Sequence, residues 1–161
     1  ILSNISTIFT KKVGVISENK LILREVYCDS TLIYVQYQGI EIEGPIERIM
    51  SIALLCNDAK LSNEGNVYME NPNSIESLAE YSILQFCNAK SPQNSELKSN
   101  QKRIFKIPYN VDKRIKTVVN KVEDRYRANV TGALDGLLNK CTHILINGVE
   151  KEIKEDRKSV V

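Results

Sequence analysis

Basic side chains with two aromatic rings among them are the residues of this chain whose types and spacing most readily permit binding chemistry. They lie between positions 98 and 116: Lys98, Lys102, Arg103, Phe105, Lys106, Tyr109, Lys113, Arg114 and Lys116. Cations attract phosphates and aromatic rings stack on bases, so this pattern on a sheet can hold a single-stranded nucleic acid. The same pattern is also typical of an ordinary solvated strand face, and acidic residues elsewhere reduce the formal net charge to +2.

Other kinds of site find little support in the residues. The single histidine, His143, has no nucleophile motif beside it, and the four cysteines are widely spaced without a C-x-x-C pair. This cysteine usage predicts reduced thiols that are buried or half-buried, and it argues against a zinc site. Neither a G-x-x-x-x-G-K-[ST] loop nor a G-x-G-x-x-G loop is present.

Length and hydropathy bound the architecture. The 161 residues, 42% of them hydrophobic, suffice for one globular domain with a core. No apolar run reaches the roughly 18 residues of a membrane span, so we expect no direct membrane insertion. The element order β-β-α-α-β-β-β-α-β-β predicts an α+β domain, with an antiparallel β-sheet flanked by helices.

Strand formers and turn residues place the elements within that order. The predicted strands are 21–27, 31–37, 103–107, 115–119 and 126–130, and a hairpin over 142–153 turns at Asn147-Gly148. One helix opens at Gly44-Pro45, and a short one follows Ala133. The helix at Pro45 has a predicted buried face: Ile46, Ile49, Met50, Ala53 and Leu54.

Polar residues mark the remaining boundaries. Another helix begins near Asn73, which with Glu76 has the form of a capping box. Its predicted inner stripe is Ile75, Leu78, Ala79, Ser82, Ile83 and Phe86. Residues 57–66 are predicted to be turns, and residues 89–101 are predicted to be a loop.

Five segments, in the same order along the chain, resemble motifs of the P-type cation-transporting ATPases. Residues 11–21 resemble the phosphorylation loop D-K-T-G-T-L-T-x-N-x-M, with Lys12, Gly14 and Asn19 on matching positions. Residues 53–59 (A-L-L-C-N-D-A) and 79–83 (A-E-Y-S-I) are similar to A-L-C-N-D-A and T-E-x-A-L. Residues 107–114 (I-P-Y-N-V-D-K-R) resemble I-P-F-x-S-x-R-K, and residues 130–135 (V-T-G-A-L-D), followed by C-T-H, resemble V-K-G-A-P-D.

The resemblance covers most of the chain and implies a nucleotide-binding domain of the calcium-transporter group. It implies that residues 21–161 form this domain and that residues 1–20 are a remnant of the phosphorylation loop with a hinge. Lys11 falls on the aspartate that the family phosphorylates. A lysine ammonium cannot attack the γ-phosphate to form an acyl phosphate, so we expect no catalytic residue in this chain.

The resemblance also implies an ATP pocket formed by Glu80, Tyr109, Arg114, Thr131 and Gly132. Tyr109 replaces a ring that stacks on adenine, and Glu80 matches a carboxylate near the adenine amino group. Arg114 falls on a lysine that reaches towards the nucleotide, and Gly132 permits close backbone approach. Thr131 replaces the lysine of K-G-A, so binding of ATP, with magnesium as its counter-ion, is expected to be weakened or lost.

Three hypotheses follow from the sequence. The first is a degenerate ATP-binding domain on the cytoplasmic side of a membrane protein, with that protein's phosphorylation and transmembrane domains as partners. In a variant of it, the domain binds no nucleotide and serves regulation or scaffolding. The second keeps a working transporter and treats Lys11 as an engineered change or a shifted alignment. The third is a nucleic-acid module on the basic residues, which the resemblance disfavours, so no nucleic-acid partner is expected.

Overall fold

The computed structural model describes residues 7, 9–12, 15–18, 20–35, 43–62, 66–69, 75–90 and 94–153. The loop positions Val13, Gly14 and Asn19, the predicted cap Asn73 and the predicted strand beyond residue 35 lie outside the described residues.

Within these ranges the chain forms nine strands and four helices. In chain order they are β1 (Glu25–Cys28), β2 (Thr31–Tyr34), α1 (Pro45–Cys56), β3 (Lys60–Leu61), β4 (Val67–Tyr68), α2 (Ile75–Lys90), α3 (Asn94–Asn100), β5 (Arg103–Asn110), β6 (Ile115–Val122), β7 (Arg125–Gly132), α4 (Leu134–Leu138), β8 (His143–Ile146) and β9 (Val149–Glu152). Three hairpins, β1–β2, β3–β4 and β8–β9, accompany a three-stranded sheet of order β5–β6–β7. All pairs are antiparallel, which confirms the predicted α+β class.

Local sequence signals explain the elements that were predicted most closely. Pro45 occupies the first turn of α1, where its fixed φ suits the helix and its missing N–H is not needed. Asn147 and Gly148 both have positive φ, 51° and 73°, as the two-residue turn of the β8–β9 hairpin requires. On α1, Ile46 and Leu54 are buried as predicted, but Ile49 is 39% exposed.

Two predictions about irregular segments are wrong. The segment 89–101 is not a loop, because α2 continues to Lys90 and α3 follows it. Leu97 of α3 packs against the core. This long-range contact stabilises a helix that the polar composition of the segment does not predict. Residues 57–66 are not only turns, because β3 pairs with β4 and places Leu61 against the same core.

The core forms between α1, α2 and the segment that follows α1. Its buried members are Met50, Leu54, Ala59, Leu84 and Cys87. On α2 the deepest side chains are Leu84 and Cys87, while most of the described part of the predicted stripe is only partly buried.

The face of the β5–β6–β7 sheet that lies against α1 contains buried polar side chains. Along β6 burial alternates, and Lys116, Val118 and Asn120 are the buried residues, at 3%, 0% and 1% exposure. In the β6–β7 register Lys116 lies opposite Thr131, and Val118 lies opposite Asn129. The inner face of the sheet therefore carries a lysine and two amides.

Candidate ligand-binding site

A cavity of about 660 Å³ lies where β5 and β6 meet α2 and the segment after α1. Its lining includes Asp58, Glu80 from α2, Lys106 and Tyr109 from β5, and Lys116 from β6. Five basic and three acidic side chains line it in all, so its wall is net positive. The volume is within the range typical of small-molecule sites.

Asn57 fixes the segment that forms the floor of this cavity. It is 2% exposed, and its Oδ1 accepts the Ala59 backbone N–H at 2.8 Å. Its Nδ2 donates to the Glu80 carbonyl oxygen at 2.7 Å. These two bonds hold the chain after α1 against α2, so Asp58 and Glu80 lie beside each other.

Asp58 is the point at which three cations of the sheet converge. Its Oδ1 lies 2.5 Å from Arg103 Nη1, and its Oδ2 lies 3.1 Å from Lys106 Nζ and 2.7 Å from Lys116 Nζ. Burial alone would raise the pKa of Asp58, but hydrogen bonds from the three cations outweigh it and hold the pKa well below its ordinary value. Asp58 is therefore ionised across the physiological range.

Lys116 links Asp58 to Glu80. Its Nζ lies 2.5 Å from Glu80 Oε1 and 3.7 Å from Glu76 Oε1, and its side chain is 4% exposed. Burial by itself lowers the pKa of Lys116, but the hydrogen bonds to both carboxylates raise it above its ordinary value. The other oxygen of Glu80, Oε2, accepts the Asp58 backbone N–H at 2.8 Å, so both oxygens of Glu80 have protein partners.

Lys98 and Arg103 satisfy backbone carbonyls at and just beyond the end of α1. Lys98 Nζ donates to the carbonyl oxygens of Asn57 and Ala59, both at 3.1 Å. Arg103 Nη2 donates to those of Leu55 and Asn57, at 2.9 Å and 3.0 Å. The last turn of α1 carries no basic residue of its own, so these side chains act as its cap. Burial lowers the pKa of Lys98.

The structure brings together two of the five residues predicted for the pocket. Glu80 and Tyr109 both line the cavity, and Tyr109 is 41% exposed there. Arg114, Thr131 and Gly132 are described but are not among its lining residues.

Each of these three has a different environment. Arg114 has φ 54° and forms an exposed ion pair with Asp135 at 2.6 Å. Thr131 lies near the Cys56 thiol on the α1 side of the sheet, where its hydroxyl opposes the rise in the thiol's pKa that burial causes; the thiol itself donates to the Asn129 carbonyl oxygen at 3.5 Å. A Cβ at Gly132 would collide with the Arg114 carbonyl oxygen and lie 2.8 Å from Ile115 Cα, so in this structure the close approach of the two strands accounts for this glycine.

Sequence reasoning missed the residues that organise the cavity. Asp58 lies in the segment 53–59, which was quoted for the resemblance without a role for its aspartate. Lys116 lies in a predicted strand, but its two carboxylate partners are 36 and 58 residues away in sequence, and no local pattern indicates such contacts.

The side chains that line this cavity can bind a ligand. Tyr109 offers an aromatic face beside a net positive wall, which suits a flat group that carries negative charge. Among the described residues there is no group of three or more His, Cys, Asp or Glu side chains that could hold a metal ion. None of the helices in these ranges combines the length and apolar character needed to cross a membrane.

A model of the family described as "P-type ATPase, cytoplasmic domain N" matches residues 45–161. The chain belongs to this family. The N-domain match includes Glu80, Tyr109 and the other residues of the cavity, and it confirms the family that the sequence motifs indicated.

The individual relatives of this N domain are named as transporting ATPases or as a subunit of one. Calcium-transporting ATPase 1 of Bacillus cereus is 28% identical over 161 residues, and a calcium-transporting ATPase of Listeria monocytogenes is 22% identical over 156. The sodium/potassium-transporting ATPase subunit alpha of Hydra vulgaris is 24% identical over 165 residues. The alignments cover 99%, 96% and 96% of this chain but only 17%, 17% and 16% of these relatives.

Proposed function

We propose that this N domain is the cytoplasmic ATP-binding domain of a cation-transporting membrane protein, and that it binds ATP weakly. One observation carries the proposal: Glu80 and Tyr109, which come from two separate motifs, line a single net-positive cavity. Adenine can stack on the Tyr109 ring, while the basic wall favours the phosphates. The volume of the cavity, the Tyr109 ring and the surplus of basic residues in its lining all support a nucleotide as the ligand.

Weak binding is supported by the state of the other predicted contacts. Glu80 uses both carboxylate oxygens within the protein, so an adenine amino group would have to compete with Lys116 or with a backbone N–H. Thr131 lies near Cys56 and does not line the cavity, and Arg114 is paired with Asp135 outside it. Losing one charged contact to a ligand costs about 1.5–3 kcal/mol, which is roughly ten- to hundredfold in affinity.

The residue at position 11, Lys11, bears on whether this chain can be phosphorylated. Its side chain is exposed, and the sequence places it where the family has the phosphorylated aspartate. We therefore propose that residues 1–20 are a phosphorylation-loop remnant before the domain of 21–161, and that position 11 accepts no phosphate. Incubating the parent protein with γ-labelled ATP should yield no hydroxylamine-sensitive phosphate on this segment, and recovery of such a label at residues 7–20 would contradict it.

The proposal also concerns the transported cation and the other domains of the parent protein. The relatives are named for calcium transport and for sodium/potassium transport, so the N domain alone does not select the ion. We expect the partners of this domain to be the phosphorylation and transmembrane domains of the parent protein, together with ATP and its magnesium.

A titration of the isotope-labelled chain with millimolar ATP, with and without magnesium, tests the binding. We expect saturable NMR shifts at Glu80 and Tyr109. Tyr109→Leu should weaken binding by about tenfold, because stacking of a base on an aromatic ring contributes roughly 1–3 kcal/mol. Tyr126→Leu is the matched control, since Tyr126 is 70% exposed on β7 and does not line the cavity.

Absence of saturable shifts in the wild-type protein would reject the ATP-binding proposal and favour a regulatory or scaffold domain without nucleotide. The nucleic-acid alternative loses support from the structure. Five of the seven basic side chains in the segment 98–116 bond to internal acceptors, namely Lys98, Arg103, Lys106, Arg114 and Lys116. Only a minority of the set therefore remains to follow the backbone of a nucleic-acid strand, whereas a single nucleotide needs only the net positive wall of one cavity.

A further inference from the structure

Lys116 and Thr131 stand directly opposite each other where β6 pairs with β7. Residues paired in this way project to the same face of a sheet, with their Cβ atoms about 4.5–5.5 Å apart. Lys116 fills this face with a side chain that is 4% exposed, and Thr131 contributes a short neutral side chain near Cys56. Two long cations could not occupy these two positions without strong mutual repulsion.

The contacts of Lys116 tie three elements together. Its ammonium bonds Asp58, which follows α1, and Glu80, on α2, while its backbone belongs to β6. Without that ammonium the two carboxylates would face each other across the cavity floor, offset by the more exposed cations of β5 and by Lys98 of α3. Breaking a buried ion pair by removing one partner is strongly destabilising, because the remaining charge is left uncompensated.

We propose that Lys116 is the positioning residue of this pocket: from β6 it supplies the ammonium that fixes Asp58 and Glu80 at the cavity, and it thereby restricts position 131 to a small neutral side chain. The inference deepens the proposed function and rests on it for the nucleotide readout. Its stability readout is independent of any ligand.

The first test compares two lysines that bond the same Asp58 oxygen. Lys116→Met removes the buried partner, and Lys106→Met removes a partner whose side chain is 40% exposed. We expect Lys116→Met to raise the unfolding equilibrium constant by about a hundredfold or more, and Lys106→Met to raise it by no more than about fivefold. Carbon-detected titration of the Asp58 carboxyl should show a larger rise of its pKa in Lys116→Met than in Lys106→Met. Equal effects of the two variants would overturn the proposal.

The second test places a lysine at position 131, on the strand opposite Lys116. Thr131→Lys should melt at a lower temperature than Thr131→Met, a variant of similar length without the charge, because like charges directly opposite each other repel. The double variant Lys116→Met/Thr131→Lys should recover most of the stability and ATP affinity that Lys116→Met loses. If Thr131→Lys alone tightens ATP binding without loss of stability, or if the double variant is no better than Lys116→Met, the proposal is wrong.

The two proposals fail in distinguishable ways. If no variant binds ATP but the stability pattern is as expected, Lys116 retains its role and the ATP-binding function is rejected. If ATP binds equally well to the wild type and to Lys116→Met, the function stands and the role of Lys116 is rejected. Should Lys116→Met fail to fold, the comparison of Thr131→Lys with Thr131→Met still decides the question.

Discussion

At the scale of single residues, Gly132 is explained by contact between strands. Its missing Cβ leaves room for the Arg114 carbonyl oxygen, which accepts the Ala133 N–H at 2.9 Å. Gly132→Ala should lower the free energy of unfolding by about 1–3 kcal/mol, because the obstacle is backbone that cannot rotate away. Urea denaturation measures this change.

Gly148→Asn is the control for that experiment. Gly148 also has special geometry, but no atom lies within 4 Å of a Cβ built there, and asparagine tolerates its positive φ of 73°. We expect this variant to lose less stability than Gly132→Ala, because only the positive φ and no steric clash opposes its side chain. A Gly132→Ala protein as stable as the wild type would show that the two strands can separate, and the steric explanation would be wrong.

Some residues of the site could be predicted from the sequence, but the buried polar residues of β6 could not. Tyr109 and Glu80 were predictable because each lies in a recognisable motif. On β6, however, the face carrying Ile115, Thr117 and Val119 is the more apolar one by sequence, yet the opposite face is the buried one. Its polar residues are tolerated because partners from distant elements satisfy them, and alternation along one strand carries no information about those partners.

At the scale of elements, α3 depends on packing more than on its own composition. Its sequence N-S-E-L-K-S-N offers one apolar side chain, Leu97, and this side chain meets the core. A helix of seven residues has little intrinsic stability in water. We expect Leu97→Ala to destabilise the protein by about 1–3 kcal/mol and to increase amide exchange throughout α3.

Ser99→Ala on the same helix is the control, because the Ser99 hydroxyl makes only an exposed local bond to the Glu96 carbonyl oxygen. Its unfolding free energy should stay within about 0.5 kcal/mol of the wild type. Similar values for Leu97→Ala and Ser99→Ala would contradict the packing explanation.

The difference between local sequence signals and core packing also explains which elements could be predicted from the sequence. Strong local signals, such as Pro45 at the start of α1 and Asn147-Gly148 in the hairpin turn, placed their elements closely. The short elements α3, β3 and β4 were missed, because contacts with the core through Leu97 and Leu61 stabilise them. Local composition determines elements that carry strong end or turn signals, while tertiary packing determines short elements that lack such signals.

At the scale of the whole molecule, the four cysteines report on cooperative unfolding. All are free thiols, as predicted; Cys28, Cys56 and Cys87 are buried and Cys141 is half-buried. Burial raises the pKa of Cys56, and it raises the pKa of Cys87 to about 12. Because the thiolate is the reactive form, native protein at pH 8 should react rapidly with a disulfide reagent at Cys141 alone.

The other three thiols should then react at the rate of global unfolding, and all four at once in denaturant. Cys141→Ser should remove the rapid phase and leave the slow one unchanged. Rapid reaction of two or more thiols in the native protein would show that the core opens locally rather than as a unit.

The capping of α1 by Lys98 and Arg103 has a consequence for how the chain reaches this structure. The donors lie 39 to 48 residues beyond the carbonyls that they satisfy. A polypeptide emerging from the ribosome therefore exposes the end of α1 well before its caps have been synthesised, and closing so long a loop is slow compared with helix growth. We therefore expect the final turn of α1 to become stable only when α3 and β5 have docked against it.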